Sequence, residues 1–394
     1  MTTNTQKKRI HWKELDILRG LAALLMIVNH AGYQTLAPTE TNGLVASSLL
    51  FISSFAPVLF FFVTGVGYGL QSIQKKKASH WYVILNKVII LFLADFLIHW
   101  SNGRWIGLEF LGFIGLSSLV MEFVRKSKSP VFYCLIGFVA ISLLRYLLGP
   151  YVHSLGYPKQ ASWLINWILG IKDTPGVSYP LSPWLAYPFA GYITGVAAMH
   201  YRRFIETQRF KVVSGLLILE LIQTIAALFL AQHGASFFRW GTVGIGFYVA
   251  SFAVILISLT ISLALCGNSI YQGFQENLSL KGIASLAVVP IHYFLIYLVV
   301  ASGGTGLNLF RYSLIALAVL IASFLLSRAV ENLSTKIRQL NKPRVVWFGL
   351  VGMFLLELQS PGLAAKERLL WQYYPGLLVK LFYACYLESA CLYS

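Results

Sequence analysis

The chain is poor in charge, and poorest in negative charge. Only 11% of its 394 residues are Asp, Glu, Lys or Arg, and 14 acidic residues face 31 basic ones. A soluble globular domain carries about 25% charged residues, so a solvated surface over a chain of this length is excluded. Cysteine is scarce as well. Cys134, Cys266, Cys385 and Cys391 show no metal-ligand spacing and read as apolar filler, and no metal is expected.

What remains is hydrophobic. Apolar residues make up 57% of the chain and the mean hydropathy is +0.69. Apolar runs near 20 residues, enough to cross a bilayer, recur along the whole length. They predict an all-α, polytopic membrane bundle of about 10–11 transmembrane helices around a central channel. The spans fall near 15–34, 45–70, 81–100, 106–124, 131–149, 183–200, 211–232, 241–265, 283–301, 308–330 and, weakly, 344–358. A tail over 1–14 precedes one membrane domain over 15–343. A C-terminal segment, 344–394, holds the weak span and an aromatic tail. The first span is too long for a signal-peptide core, carries Asp16 and Arg19 and lacks a small-residue cleavage site, so it reads as a retained helix.

The +17 net charge could suggest nucleic acid, but its placement argues against that. Basic residues cluster in alternate loops: Lys7 to Lys13, Lys75 to Lys77, Arg125 to Lys128, Arg202 to Lys211, and Arg328 to Arg344. Intervening loops hold scattered charges such as Arg104, Lys159, Lys172 and Arg239. This alternation is the positive-inside pattern and places the N-terminus in the cytoplasm; the expected location is a bacterial plasma membrane, with the chain multi-pass.

The first span carries the sharpest signal. Arg19 and His30 are separated by ten residues. Eleven helical steps turn about 1,100°, which returns His30 to within roughly 20° of Arg19, some 16 Å further along the axis. A guanidinium at the centre of a membrane helix costs at least about 2.5 kcal/mol and so faces protein or water. Asp16, three residues earlier, can pair with it. In the third span, Asp95 and His99 form an i,i+4 pair in which the carboxylate can raise the imidazole's basicity. His292 follows Pro290 in the ninth span, and Arg311 sits at the outer end of the tenth. Ionisable groups from several spans thus converge on one level, although each of His99, His292 and Asp95 also suits plain interhelical bonding, and Arg311 suits snorkelling.

Residues 60–70 hold Gly65, Gly67 and Gly69 inside a span, where small residues favour close helix packing. The alternative is that Thr64 and Gly65 let a substrate chain approach the backbone. The stretch from Pro150 to Pro183 is the longest outer loop, and its Trp163, Trp167 and Tyr179, with Trp184 just beyond, suit an interfacial segment or a lid.

Taken together, these residues resemble a known group. The Arg19-X10-His30 spacing is similar to the signature of the acyltransferase-3 family. The strings LDILRGLAALLMIVNHAGY, FAPVLFFFVTGVGYGL and FLGFIGLSSLV resemble more closely the heparan-α-glucosaminide N-acetyltransferase-like catalytic domain. Segments 182–195 and 283–297 are similar to later parts of these domains. The resemblance implies a membrane acyltransferase that takes acyl-CoA, acetyl-CoA foremost, from the cytoplasm and passes the acyl group to a hydroxyl or amine of a glycan or lipid-linked acceptor outside. It implies His30 as base or acyl carrier and Arg19 as the partner of the anionic CoA moiety. Thr64-Gly65 stands where the acyltransferase-3 pattern has Ser-Gly.

Chemistry gives the remaining expectations. Asp95 and His99 would support the catalytic His30, with Asp16, Thr64 and Gly65 beside Arg19 at the donor. Asn29, His292, Tyr293 and Arg311 would meet substrate, Asn29, Thr64 and Tyr293 being candidates to steady an oxyanion. Partners are acyl-CoA, the acceptor and membrane lipids, with homo-oligomerisation open and nucleic acid excluded. The rival reading is a proton-coupled secondary transporter with His30, Asp95, His99 and His292 as a relay. Inverted repeats would favour it, and the Arg-X10-His segment occurs once.

The charge alternation fixes sidedness. Reporter fusions at Lys76, Lys126 and Arg203 should read cytoplasmic, and those at Asn42 and Lys172 should read outside. An outside reading at Lys76 would invert the depth of every residue named above.

Overall fold

The computed structural model describes residues 12–73, most of 81–92, 108–154, 159–170, 177–235, 237, 243–266, 271–281 and 284–339. Among these the chain is helical and forms no sheet. Six stretches are long and apolar enough to cross a membrane: Lys13–Thr35, Leu44–Ile73, Pro130–Val152, Arg209–Gln232, Ile245–Cys266 and Leu309–Leu333. The protein is an all-α polytopic membrane bundle. Three more expected spans are shorter helices, Phe110–Lys126, Ala186–His200 and Ala284–Ala301. The span at 81–100 is described only in part, and 344–358 lies outside the described residues.

In chain order the helices are α1 (Lys13–Thr35), α2 (Pro38–Thr41), α3 (Leu44–Ser53), α4 (Ala56–Ile73), α5 (Phe110–Lys126), α6 (Pro130–Ser154), α7 (Lys159–Leu169), α8 (Leu181–Trp184) and α9 (Ala186–His200). They continue with α10 (Arg202–Thr207), α11 (Arg209–Gln232), α12 (Ile245–Cys266), α13 (Gln272–Leu278), α14 (Ala284–Ala301) and α15 (Leu309–Gln339). The second expected span is therefore two helices, broken at Ser54 and Phe55. Pro130 opens α6, where its missing N–H costs nothing. Asn308 caps α15 by accepting the Arg311 N–H at 3.0 Å.

Helix α1 is the hub: it packs against α3, α4, α12, α13, α14 and α15. Its small residues Ala22, Ala23 and Ala31 are fully buried, which lets neighbours approach its axis closely. At the other extreme α11 buries no residue and exposes Leu217, Leu221, Ile225 and Leu228, as suits a lipid-facing helix.

The tightest packing joins α4 to α9. Both carry glycines four residues apart, Gly65 with Gly69 and Gly191 with Gly195. A methyl group on Gly65 would stand 2.0 Å from the Pro188 carbonyl oxygen, and one on Gly191 2.0 Å from that of Phe62. The two backbones touch, so the glycines are required by packing. The stretch expected to form an interfacial segment or a lid ends in the core. Trp184 is fully buried and Tyr179 nearly so; both pack edge-on against Phe61, and Tyr179 lies beside Phe113. Rings of that size lose more by exposure to water than a lid could regain, so this end of the loop joins the core.

Gly65→Ala should force α4 and α9 apart, destabilising the protein by about 1–3 kcal/mol as overpacking does. Gly67 has nothing within 4 Å of its would-be methyl. Gly67→Ala should therefore be neutral or stabilising by up to about 1 kcal/mol. Thermal midpoints in detergent would separate the two, and equal midpoints would contradict the packing account.

Candidate active site

Three consecutive positions near the end of α1 make polar ties to three different helices. The Val28 carbonyl accepts from the Tyr312 hydroxyl of α15 at 2.9 Å. The Asn29 amide donates to the Leu50 carbonyl and to Ser53 Oγ of α3, both at 3.1 Å. His30 Nδ1 lies 2.9 Å from His292 Nε2 of α14. Side chains one residue apart point about 100° apart around a helix. The sequence thus sends successive groups into successive neighbours.

His292 is fully buried. Its Nδ1 lies 2.8 Å from the Val288 carbonyl oxygen, one turn earlier in a helix that runs unbroken through Pro290. A carbonyl oxygen only accepts, so that nitrogen carries a hydrogen. Tyr293, the next residue, places its hydroxyl 3.3 Å from His30 Nε2. Its ring stacks on His30 with centroids 4.6 Å apart, and the two imidazoles lie 14° from parallel. His30 is half-buried and Tyr293 is 38% exposed, whereas His292 behind them is sealed. Glu109, which immediately precedes α5, stands within electrostatic reach of Tyr293.

The other polar group of α1 is about three turns away. Arg19 Nη1 donates to Asp16 Oδ1 at 2.8 Å; Asp16 is 2% exposed and Arg19 25%. Glu331 of α15 is within electrostatic reach of the same guanidinium. The Asp16 carbonyl accepts the Leu280 N–H at 3.1 Å, and a methyl on Gly20 would meet the Leu278 carbonyl oxygen at 1.7 Å. The segment after α13 is therefore pressed onto α1 beside Arg19.

The structure thus brings together His30, His292 and Tyr293, and separately Asp16 and Arg19. Asn29 adjoins His30 in sequence but turns its amide to α3. Thr64 Oγ1 bonds the Phe60 carbonyl of its own helix at 2.9 Å, and Gly65 lies under Pro188. Arg311 is exposed in the first turn of α15. Asp95 and His99 lie outside the described residues. Sequence reasoning had offered His292 as a substrate residue, whereas its Nε2 is spent on His30. Glu109 and Glu331 went unnoticed, each a lone acid beside an apolar helix, and scarcity of acids was the one signal that marked them.

Residues 11–222 match the family described as Heparan-alpha-glucosaminide N-acetyltransferase, catalytic. No curated protein and no solved structure matches the chain. The matched stretch includes Arg19 and His30 and ends before α12, so His292, Tyr293 and Glu331 come from beyond it.

Proposed function

The chain belongs to the heparan-alpha-glucosaminide N-acetyltransferase catalytic family, and on that premise we propose that it is a membrane acyltransferase taking an acetyl or similar short acyl group from cytoplasmic acyl-CoA. The acceptor is a hydroxyl or amine of a glycan on the far side of a bacterial plasma membrane. One observation supports the assignment of chemistry to His30 above all: a half-exposed imidazole is braced from behind by a fully buried one.

Acyl transfer from a thioester needs a base for the acceptor, and a neutral imidazole is matched to neutral pH. In this reading His30 Nε2 removes the acceptor proton as the acceptor oxygen or nitrogen attacks the thioester carbon. The carbon–sulfur bond then breaks, and the proton passes from His30 to the departing CoA thiolate. Tyr293, beside Nε2, is placed to donate to the oxyanion that develops between these events. Arg19, held by Asp16, offers a planar fork suited to a phosphate of the donor. The acyltransferase-3 resemblance adds the same two residues and rests on their spacing alone.

His30→Ala should abolish transfer, a loss on the order of 10²–10⁴-fold for acid–base chemistry, while acyl-CoA binding measured by calorimetry stays near wild type. Donor-dependent acylation of a glycan pool by membranes with matched protein levels is the readout. Retained activity would move the chemistry away from α1.

Arg19→Lys should weaken acyl-CoA binding, because an ammonium cannot reproduce the fork. With a short thioester that lacks the nucleotide, mutant and wild type should converge. An equal loss with both donors would make Arg19 a structural partner of Asp16.

A further inference from the structure

Resting on the reading of His30 as the base, we infer that His292 is its positioning residue: it selects the tautomer of His30 and aims the Nε2 lone pair at the acceptor. The hydrogens are fixed from the buried end outward. The Val288 carbonyl can only accept, so His292 Nδ1 is the N–H nitrogen. We take the fully buried His292 as a neutral imidazole. A neutral ring with hydrogen on Nδ1 has its lone pair on Nε2. His292 Nε2 therefore accepts, and His30 Nδ1, 2.9 Å away, must donate. His30 is then the Nδ1–H tautomer, with its lone pair on Nε2.

That nitrogen lies beside the partly exposed Tyr293. The Tyr293 hydroxyl, 3.3 Å away, makes there the bond that an acceptor hydroxyl would make. Without His292 the two tautomers of His30 would interchange, and one of them presents N–H to the acceptor and cannot act as a base. When His30 does take a proton, its Nδ1–H bond to His292 becomes charge-assisted and stronger. His292 thus favours the protonated intermediate without touching substrate.

The two nitrogens of His292 can be tested separately. Glutamine carries its amide atoms at the reach of Nε2, and asparagine carries them at the reach of Nδ1. If the bond to His30 is what matters, His292→Gln should keep kcat within about tenfold of wild type, because its carbonyl can accept from His30. His292→Asn keeps only the intrahelical bond to Val288 and should lose on the order of 100-fold, the upper range for loss of a supporting partner. Donor binding should stay near wild type in both. In ¹⁵N-histidine spectra of the full chain in nanodiscs, the resonances lost in His30→Gln should report Nδ1–H and bare Nε2, and should do so again in His292→Gln. Asparagine outperforming glutamine would overturn the proposal and make the Val288 bond the important one. A His30 that carries its hydrogen on Nε2 in wild type would also overturn it. If the wild-type chain transfers no acyl group, the proposed function fails, and the wild-type spectrum still decides the tautomer by itself.

Discussion

In hydrocarbon a polar group keeps only the partners that the protein supplies. That constraint is concentrated at Val28, Asn29 and His30, where α1 bonds α15, α3 and α14 in three successive residues. None of these bonds is worth more than about 1–2 kcal/mol net in a membrane. Their effect is geometric. Because the Asn29 and His30 side chains would be left unsatisfied by a shift of one residue, they fix the rotation and depth of α1 among its neighbours. Buried Ala22, Ala23, Met26 and Ile27 fill the stretch between this level and Arg19 with apolar contact that has no comparable directional preference.

The same geometry bears on the choice between transfer and transport. A proton relay must hand a proton onward, so each member needs a partner that can accept one. Beyond His30, His292 donates from Nδ1 to the Val288 carbonyl, which accepts a hydrogen bond but not a proton at neutral pH. In the proposed transfer a proton gained at His30 Nε2 leaves from the same nitrogen. Acyl transfer requires that return, since the proton taken from the acceptor is given back to the leaving thiolate.

Much of this was legible in the sequence because it is local. The Arg19–His30 seam and the Asp16 pair follow from helical periodicity within one helix, and the glycines at 65 and 69 announced close packing. Non-local facts were not legible. Nothing in the apolar run around His292 says that it meets His30 across 262 positions. Its place at the level of His30 was expected; its rotation was not. Aromatic density in the stretch before α9 was equally ambiguous, since Tyr179 and Trp184 suit an interface or a core, and their packing against Phe61 and Phe113 decided for the core.

The family match covers the half of the chain that holds Arg19, its partner Asp16 and His30, yet further groups beside them come from the other half. His292 on α14 backs the imidazole, Glu331 on α15 reaches the guanidinium, and the two helices pack together. Glu331 also accepts the Ala284 N–H at the start of α14, at 3.4 Å. The pair α14–α15 is thus fastened to both polar levels of α1. The proposed base and the proposed donor partner are about 16 Å apart on a single helix, and α14 and α15 address both. A displacement of that pair would disturb both ends together, so the separation between His30 and Arg19 depends on this packing as well as on α1 itself.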